Sequence, residues 1–98
     1  MFGTKSLLGY QDILEGIKIK TISYGKSMIM TEVLLSKDSI LPDHQHVNEQ
    51  IGYLVKGKIK LHIDGKSKEI NPGDSWNIAS TIKHKAEIVE DSIAIEYF

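Results

Sequence analysis

Apolar and polar residues alternate in short segments along nearly the whole chain. Alternation with a period of two is typical of β-strands that bury one face. No segment of useful length shows the 3.6-residue period of an amphipathic helix. The pattern predicts about eight strands: residues 1–12 form either an edge strand or an arm, and the other strands span residues 17–20, 28–36, 51–55, 58–63, 75–78, 86–89 and 92–97.

Turn residues separate these segments. Asp64-Gly65 is the strongest turn, because a two-residue hairpin of type I′ needs positive φ at both central positions. Short strands with turns every 8–12 residues or so are typical of a sandwich or barrel, so we predict an all-β fold. The other predicted turns and loops are residues 24–27, 38–43, 56–57 and 71–74.

Composition strengthens the prediction of an all-β fold. The chain contains 15 isoleucines but only three alanines. Isoleucine favours strands, whereas alanine is the strongest helix former. A length of 98 residues is enough for one hydrophobic core but not for two, so we expect a single domain over residues 1–98.

Charge and missing residue types exclude several classes of function. The formal net charge is −1, which argues against binding to nucleic acid or to an anionic membrane. The absence of cysteine excludes disulfides, thiolate nucleophiles and zinc fingers. All 12 basic residues are lysines, so no guanidinium clamp for a carboxylate exists within this chain. Because no apolar run reaches the ~20 residues of a membrane span, we expect a cytoplasmic protein.

One predicted strand is apolar on both faces. Ile51, Tyr53 and Val55 share one face, while Gly52 and Leu54 share the other. A strand that lacks polar residues on both faces is covered on both. The second cover is either another subunit or the N-terminal arm, and we expect a homodimer.

Three of the four histidines have a spacing that suits a metal site. His44 and His46 point to the same side of an extended chain, about 6.6 Å apart, and two imidazoles at that spacing can bind one ion. Gln50 follows four residues later. His84 must reach the same place from a different strand.

These residues lie in two segments that resemble the two sequence motifs of the cupins. The first motif is His-x-His, three residues, a carboxylate or amide ligand, six residues and a glycine, and it matches residues 44–57. The second is a Pro-Gly-Asp turn followed by a histidine, and it matches residues 71–84. The resemblance implies a double-stranded β-helix, or jelly-roll barrel. It also implies one divalent metal bound by His44, His46, Gln50 and His84.

The amide ligand bears on the chemistry of this implied metal. Many cupins have glutamate where Gln50 stands. Because glutamine is neutral, the ion keeps its full +2 charge. Such an ion is a stronger Lewis acid but is less suited to stabilising high-valent iron. Glu49 competes for the same ligand position, but strand alternation turns it away from the side of Gln50. Gly52 has the parity of Gln50 and is expected to leave space beside the metal. The ligands suit Ni, Mn, Zn or Fe, so the identity of the ion stays open.

Several short segments resemble more narrowly the small cupins of pectin and alginate breakdown: residues 24–33, 49–53, 63–65 and 95–98. Those proteins convert 4,5-unsaturated monouronates into linear keto sugars, with a metal held by three histidines and a glutamine. They also use an aspartate and, two residues on, a phenylalanine. Glu96 and Phe98 stand at these positions, which implies Glu96 as a catalytic acid or base. The family's downstream arginine has no counterpart here, and Lys83 or Lys85 can replace it only as a point charge.

The residues alone leave the orientation of Glu96 open. Residues 94, 96 and 98 share one strand face and residues 93, 95 and 97 share the other, and both faces are apolar enough to be the core face. Glu96 therefore either enters the barrel or is an ordinary exposed residue. His62 is expected to be solvated on an outward face, and Trp76 to be an apolar barrel residue rather than a platform for a sugar ring.

Three functions remain open from the sequence. The first is a metal-dependent enzyme that acts on a sugar acid. The second is a non-catalytic cupin that binds a small ligand, and the third is an oxygen-activating metal cupin. All three predict a small-molecule partner and neither a nucleic acid nor a membrane.

Overall fold

The computed structural model describes all 98 residues, and its regular structure consists of strands alone, as the sequence predicts. No helix long and apolar enough to cross a membrane is present. The strands are β1 (Gln11–Leu14), β2 (Ile17–Tyr24), β3 (Ile29–Leu35), β4 (Ile40–His44), β5 (Gln50–Ile63), β6 (Lys66–Ile70), β7 (Ser75–Ile78) and β8 (His84–Tyr97).

The strands pair in antiparallel fashion in one continuous hydrogen-bonded sheet. The main path runs β1-β2-β3-β8-β5-β6, with β4 on β8 and β7 on β5. The first half of β8 pairs with β4, its second half pairs with β3, and both halves pair with β5. Strands β5 and β8 therefore run through the whole barrel and connect its two ends. This architecture is the jelly-roll barrel that the resemblance implies.

Gly57 marks a β-bulge, and the prediction of a turn at residues 56–57 is wrong. Strand β5 is 14 residues long and passes through Gly57 without a break. The register between β5 and β8 shifts on both sides of Gly57. Gly57 has φ +97°, and a Cβ there would lie 2.1 Å from Ser92 Oγ. Ser92 Oγ accepts a hydrogen bond from Lys58 N (3.0 Å). The bulge bends β5 without ending it, because the paired strand supplies the lost hydrogen-bond partner.

Two other predicted boundaries also change for reasons of pairing. The predicted strands 86–89 and 92–97 are one strand, β8, because β5 pairs with it on both sides of the bulge. The predicted loop 38–43 contains most of β4, which pairs with the first half of β8. In both places a partner distant in sequence supplies hydrogen bonds that a local pattern does not reveal.

The inward faces of the strands form one apolar core. The alternation predicted for residues 58–63 is confirmed, since Ile59 and Leu61 are buried while Lys60 is exposed. The core residues are Ile17, Val33, Leu35, Leu54, Ile59, Leu61, Ile70, Ala86, Ile88 and Ala94.

The outer face of β5 carries an apolar patch. Ile51, Tyr53 and Val55 are 48%, 47% and 47% exposed in the single chain. The N-terminal arm lies elsewhere, beside β2, where Lys20 Nζ donates to the carbonyl of Ser6 (3.0 Å). The arm therefore does not cover this patch.

Candidate active site

Three histidines meet at one end of the barrel. His44 ends β4 and His84 begins β8, and the two are direct cross-strand partners. His46 follows in the loop after β4. The ring centroids of His44 and His84 are 4.0 Å apart, and that of His46 is 5.2 Å from His84 and 5.8 Å from His44. One ring nitrogen of each residue lies within 4.8 Å of the others, a spacing suited to one metal ion.

Backbone carbonyls fix the tautomer of all three rings. His44 Nδ1 lies 2.9 Å from Pro42 O, His46 Nδ1 2.9 Å from Asn48 O, and His84 Nδ1 2.9 Å from Ile82 O. A carbonyl oxygen only accepts, so each Nδ1 carries the hydrogen and donates it. In a neutral ring the lone pair then lies on Nε2, as a metal ligand requires.

His84 leaves a buried ring nitrogen free for a ligand. It is 3% exposed, and its Nε2 is the buried side-chain nitrogen without a hydrogen-bond partner. Such an atom is rare in a folded protein and calls for an unseen partner. Burial, together with the neighbouring His44 and His46, lowers the pKa of His84 against the raising effect of its hydrogen bond to Ile82. The neutral form of the ring, whose Nε2 carries a free lone pair, is therefore favoured.

Gln50 and Glu96 form a polar pair beside the histidines, in which Gln50 is buried and Glu96 is half-buried. Gln50 begins β5 and is 6% exposed. Its Nε2 donates to Glu96 Oε2 (2.7 Å), which leaves the amide oxygen free as an acceptor or ligand. Burial raises the pKa of Glu96 to about 7, and the nearby His46 opposes this shift. The sequence does not reveal this hydrogen bond, because the two residues lie 46 positions apart.

The three histidines and the Gln50–Glu96 pair line one cavity of about 180 Å³. This volume is close to the ~150 Å³ that accommodates a benzene molecule in an engineered protein cavity, so it admits one small ring. Glu96 and Phe98 both line the cavity, which resolves the open choice between the two faces of the last strand. The polar lining consists of His44, His46, His84, Gln50 and Glu96, while the remaining 13 of the 18 lining residues are hydrophobic.

Trp76 fills the space beside Gly52 that the sequence predicts to be open. A Cβ on Gly52 would lie 2.2 Å from Trp76 Cε2, so the indole covers the glycine. Trp76 packs against the apolar core and also lines the cavity. Gly52 therefore makes room for an aromatic ring rather than leaving an opening next to a metal.

The other candidate residues lie outside the cavity. Glu49 is exposed, as its parity predicts, and neither Lys83 nor Lys85 lines the cavity. His62 is not simply solvated, because its side chain is only 19% exposed and its Nε2 lies 3.2 Å from Glu87 Oε2. It also pairs with a serine on β6 (2.6 Å). These cross-strand contacts were not visible in the local sequence.

Comparison with protein families identifies the first and second motifs as parts of one domain. The sequence profile of the Cupin_2 family, described as a cupin domain, matches residues 31–97. This range contains all four histidines as well as Gln50 and Glu96. It covers well over half of the chain.

Individual relatives agree with the narrower resemblance. The pectin degradation protein KdgF of Dickeya dadantii (strain 3937) is 26% identical over 91 residues, which cover 91% of this chain and 83% of that protein. The structure of KdgF from Halomonas sp. matches with a TM-score of 0.91 and 26% identity, over 99% of this chain and 90% of that chain. An RmlC-like cupin from Shewanella frigidimarina NCIMB 400 has a TM-score of 0.92 at 24% identity, covering 99% and 87% of the two chains, and shows the shared fold.

Proposed function

Since this chain belongs to the Cupin_2 family, we propose that it is a metal-dependent cupin that converts a 4,5-unsaturated monouronate into its linear keto form. One observation carries the proposal: three imidazole lone pairs converge beside the single carboxylate of a cavity with room for one ring. The similarity to a pectin degradation protein supports the class of substrate.

The donor set fits a divalent transition metal. We assign His44, His46 and His84 as ligands through Nε2, because each Nδ1 is bonded to a carbonyl. We assign Gln50 as the fourth ligand through its amide oxygen, because its nitrogen is engaged with Glu96. When bound, such an ion would act as a Lewis acid toward a substrate oxygen.

The proposed conversion moves a proton without gain or loss of atoms. The ring of a 4,5-unsaturated monouronate is both a hemiacetal and an enol ether. Opening it takes the proton from the anomeric hydroxyl, breaks the bond between the anomeric carbon and the ring oxygen, and adds a proton at C4. The former ring oxygen becomes the oxygen of a ketone. Glu96 is the carboxyl group that lines the cavity, so we assign it this proton transfer.

Gln50 has a second role in this assignment. Its amide N–H holds one carboxylate oxygen of Glu96 and leaves the other free to meet the substrate. A carboxylate fixed in this way needs little reorganisation when a proton is transferred. Gln50 therefore links the metal ligands to the acid–base group.

We also propose that a second copy of the chain covers the outer patch of β5. The three side chains at 51, 53 and 55 are apolar and about half exposed, while the core face of the same strand is closed. A homodimer would bury this face and leave the cavity on the opposite side of the strand free for substrate.

The first test is turnover by protein purified without chelators. Elemental analysis should find about one transition metal per chain, and the ultraviolet absorbance of the conjugated double bond should disappear on addition of a 4,5-unsaturated monouronate, without dioxygen. Glu96→Gln should lower turnover by about 10²–10⁴-fold at unchanged metal content, as expected for loss of general acid–base catalysis. The matched control is Glu49→Gln, which alters an exposed neighbouring carboxylate and should leave turnover unchanged.

Other outcomes separate the remaining functions. Binding of the monouronate without turnover by the wild type would leave the chain a ligand-binding cupin. Turnover that requires dioxygen would indicate an oxygen-activating cupin. Full turnover after removal of all metal would contradict the assigned metal chemistry.

A further inference from the structure

Trp76 lies in one cross-strand row with the proposed acid–base residue. Gly52 of β5 pairs with Trp76 of β7 on one side and with Glu96 of β8 on the other. Directly opposed residues in a sheet point to the same face. All three positions therefore face the cavity, and the middle one has no side chain.

The missing side chain allows the indole to reach across the row. A Cβ on Gly52 would lie 2.2, 2.3 and 2.4 Å from Trp76 Cε2, Cζ2 and Nε1. The ring thus lies over the backbone of β5, on the strand next to Glu96, and forms part of the cavity wall. Any larger residue at position 52 would push the ring away from this place.

The indole also has an unused hydrogen-bond donor. Trp76 Nε1 donates to no acceptor within the protein. Unlike His84 Nε2, this atom is not fully buried, so a ligand can reach it. A tryptophan at least partly enclosed in this way normally finds a partner for its N–H. The flat apolar face and the free N–H together match a ring that bears oxygen atoms on its rim.

We infer that Trp76 is a specificity-determining residue, against which the ring of the monouronate packs with one of its oxygens accepting the indole N–H. This inference rests on the proposed function. Gly52 is the positioning residue, since it holds the indole where the ring of the ligand can lie between Trp76 and the polar end of the cavity. The enclosed part of the cavity has room for a single ring, which suits a monouronate.

The experiment uses the fact that Trp76 is the single tryptophan of the chain. D-galacturonate, a saturated monouronate that cannot undergo the conversion, is titrated into metal-loaded wild type, and binding is followed by both calorimetry and tryptophan emission. The emission should change in a saturable manner with the dissociation constant that calorimetry gives. A linear sugar acid of equal carbon number should produce a smaller change.

Two variants then test the role of the ring. Trp76→Phe keeps an apolar ring but removes the N–H, and should weaken binding about 2- to 12-fold, as expected for one neutral hydrogen bond, at unchanged metal content. Gly52→Ala should displace the indole, shift its emission and weaken binding. Gly25→Ala is the control, because a Cβ there meets no atom within 4 Å.

The outcomes separate this inference from the proposed function. Binding by calorimetry without a change in emission, or equal affinity of Trp76→Phe and wild type, would overturn the role of Trp76 and leave the function intact. If Trp76→Phe fails to fold, the emission titration of the wild type decides alone. A wild type that neither binds D-galacturonate nor converts the unsaturated monouronate would overturn both.

Discussion

Replacing His84 by leucine should have opposite effects on stability with and without metal. In the metal-free protein, His84 Nε2 is buried and unpaired, and an unsatisfied buried polar atom costs about 1–3 kcal/mol. His84→Leu removes this cost, but it also removes the hydrogen bond that Nδ1 donates to the carbonyl of Ile82 (2.9 Å). The loss of that hydrogen bond costs about 1 kcal/mol. The metal-free variant should therefore be as stable as the wild type, or more stable by up to about 2 kcal/mol.

Metal should reverse this order. An ion at 100 times its dissociation constant stabilises the folded wild type by ~2.7 kcal/mol. In a domain of this size, 1 kcal/mol corresponds to about 4–8 °C in Tm, so the wild type should gain roughly 10–20 °C. The variant has lost one of three imidazoles and should gain far less.

Thermal unfolding in chelator and then in excess Ni²⁺ or Zn²⁺ measures both effects. His62→Leu is the control, because His62 lies outside the cavity, and it should leave the metal-dependent gain unchanged. Loss of more than about 2 kcal/mol by metal-free His84→Leu would show that the imidazole is needed for packing. A wild type whose Tm is the same in chelator and in metal would refute the site itself.

Three further predictions follow from the geometry. Gly57→Ala should destabilise the protein in denaturant titrations. The strained positive φ costs about 1–3 kcal/mol, and the overlap of the new Cβ with Ser92 adds to this cost. Unchanged stability would contradict the tight bulge. Tyr53→Lys should shift a wild-type dimer toward monomer in sedimentation experiments, because an unpaired charge would be buried, and a monomeric wild type would refute the dimer. In metal-free protein, Glu96→Gln should be more stabilising at pH 8 than at pH 5, because folding raises the pKa of Glu96 from 4.5 to about 7. The wild type therefore loses up to about 3 kcal/mol of its free energy of unfolding as the pH rises through this window. Parallel profiles of stability against pH for the two proteins would contradict the raised pKa of this carboxyl.

The sequence predicts those parts of the fold that depend on local alternation. Residues 58–63 alternate cleanly, and their inward and outward sides agree with the prediction. Parity also places Glu49 and Gln50 on opposite faces, and the resemblance to the first cupin motif assigns Gln50 to the inside. The assignment of residues 58–63 succeeds because one face of this segment is plainly more polar than the other.

Prediction was limited where both faces are apolar or where a distant strand decides. Glu96 shares its face with Ala94, while Ile95 and Tyr97 make the outer face equally apolar. Period-two alternation cannot rank two such faces, and the hydrogen bond from Gln50 identifies the inner one. Trp76 could not be placed over Gly52 either, since their pairing joins strands separated by β6 along the chain.

The bulge at Gly57 of β5 lies opposite the middle of β8, the strand that carries both ends of the site. His84 and Glu96 are twelve residues apart in β8, a distance of about 40 Å in a straight strand, yet both line a cavity of about 180 Å³. Strand β8 must therefore curve around the barrel, and the register shifts opposite Gly57 lie midway between the two residues. Bulges increase local bending and twist, so the glycine of the first motif shapes the site without touching it. Relaxing this bulge is therefore expected to move the imidazoles away from Glu96, the proposed acid–base residue, as well as to weaken the fold.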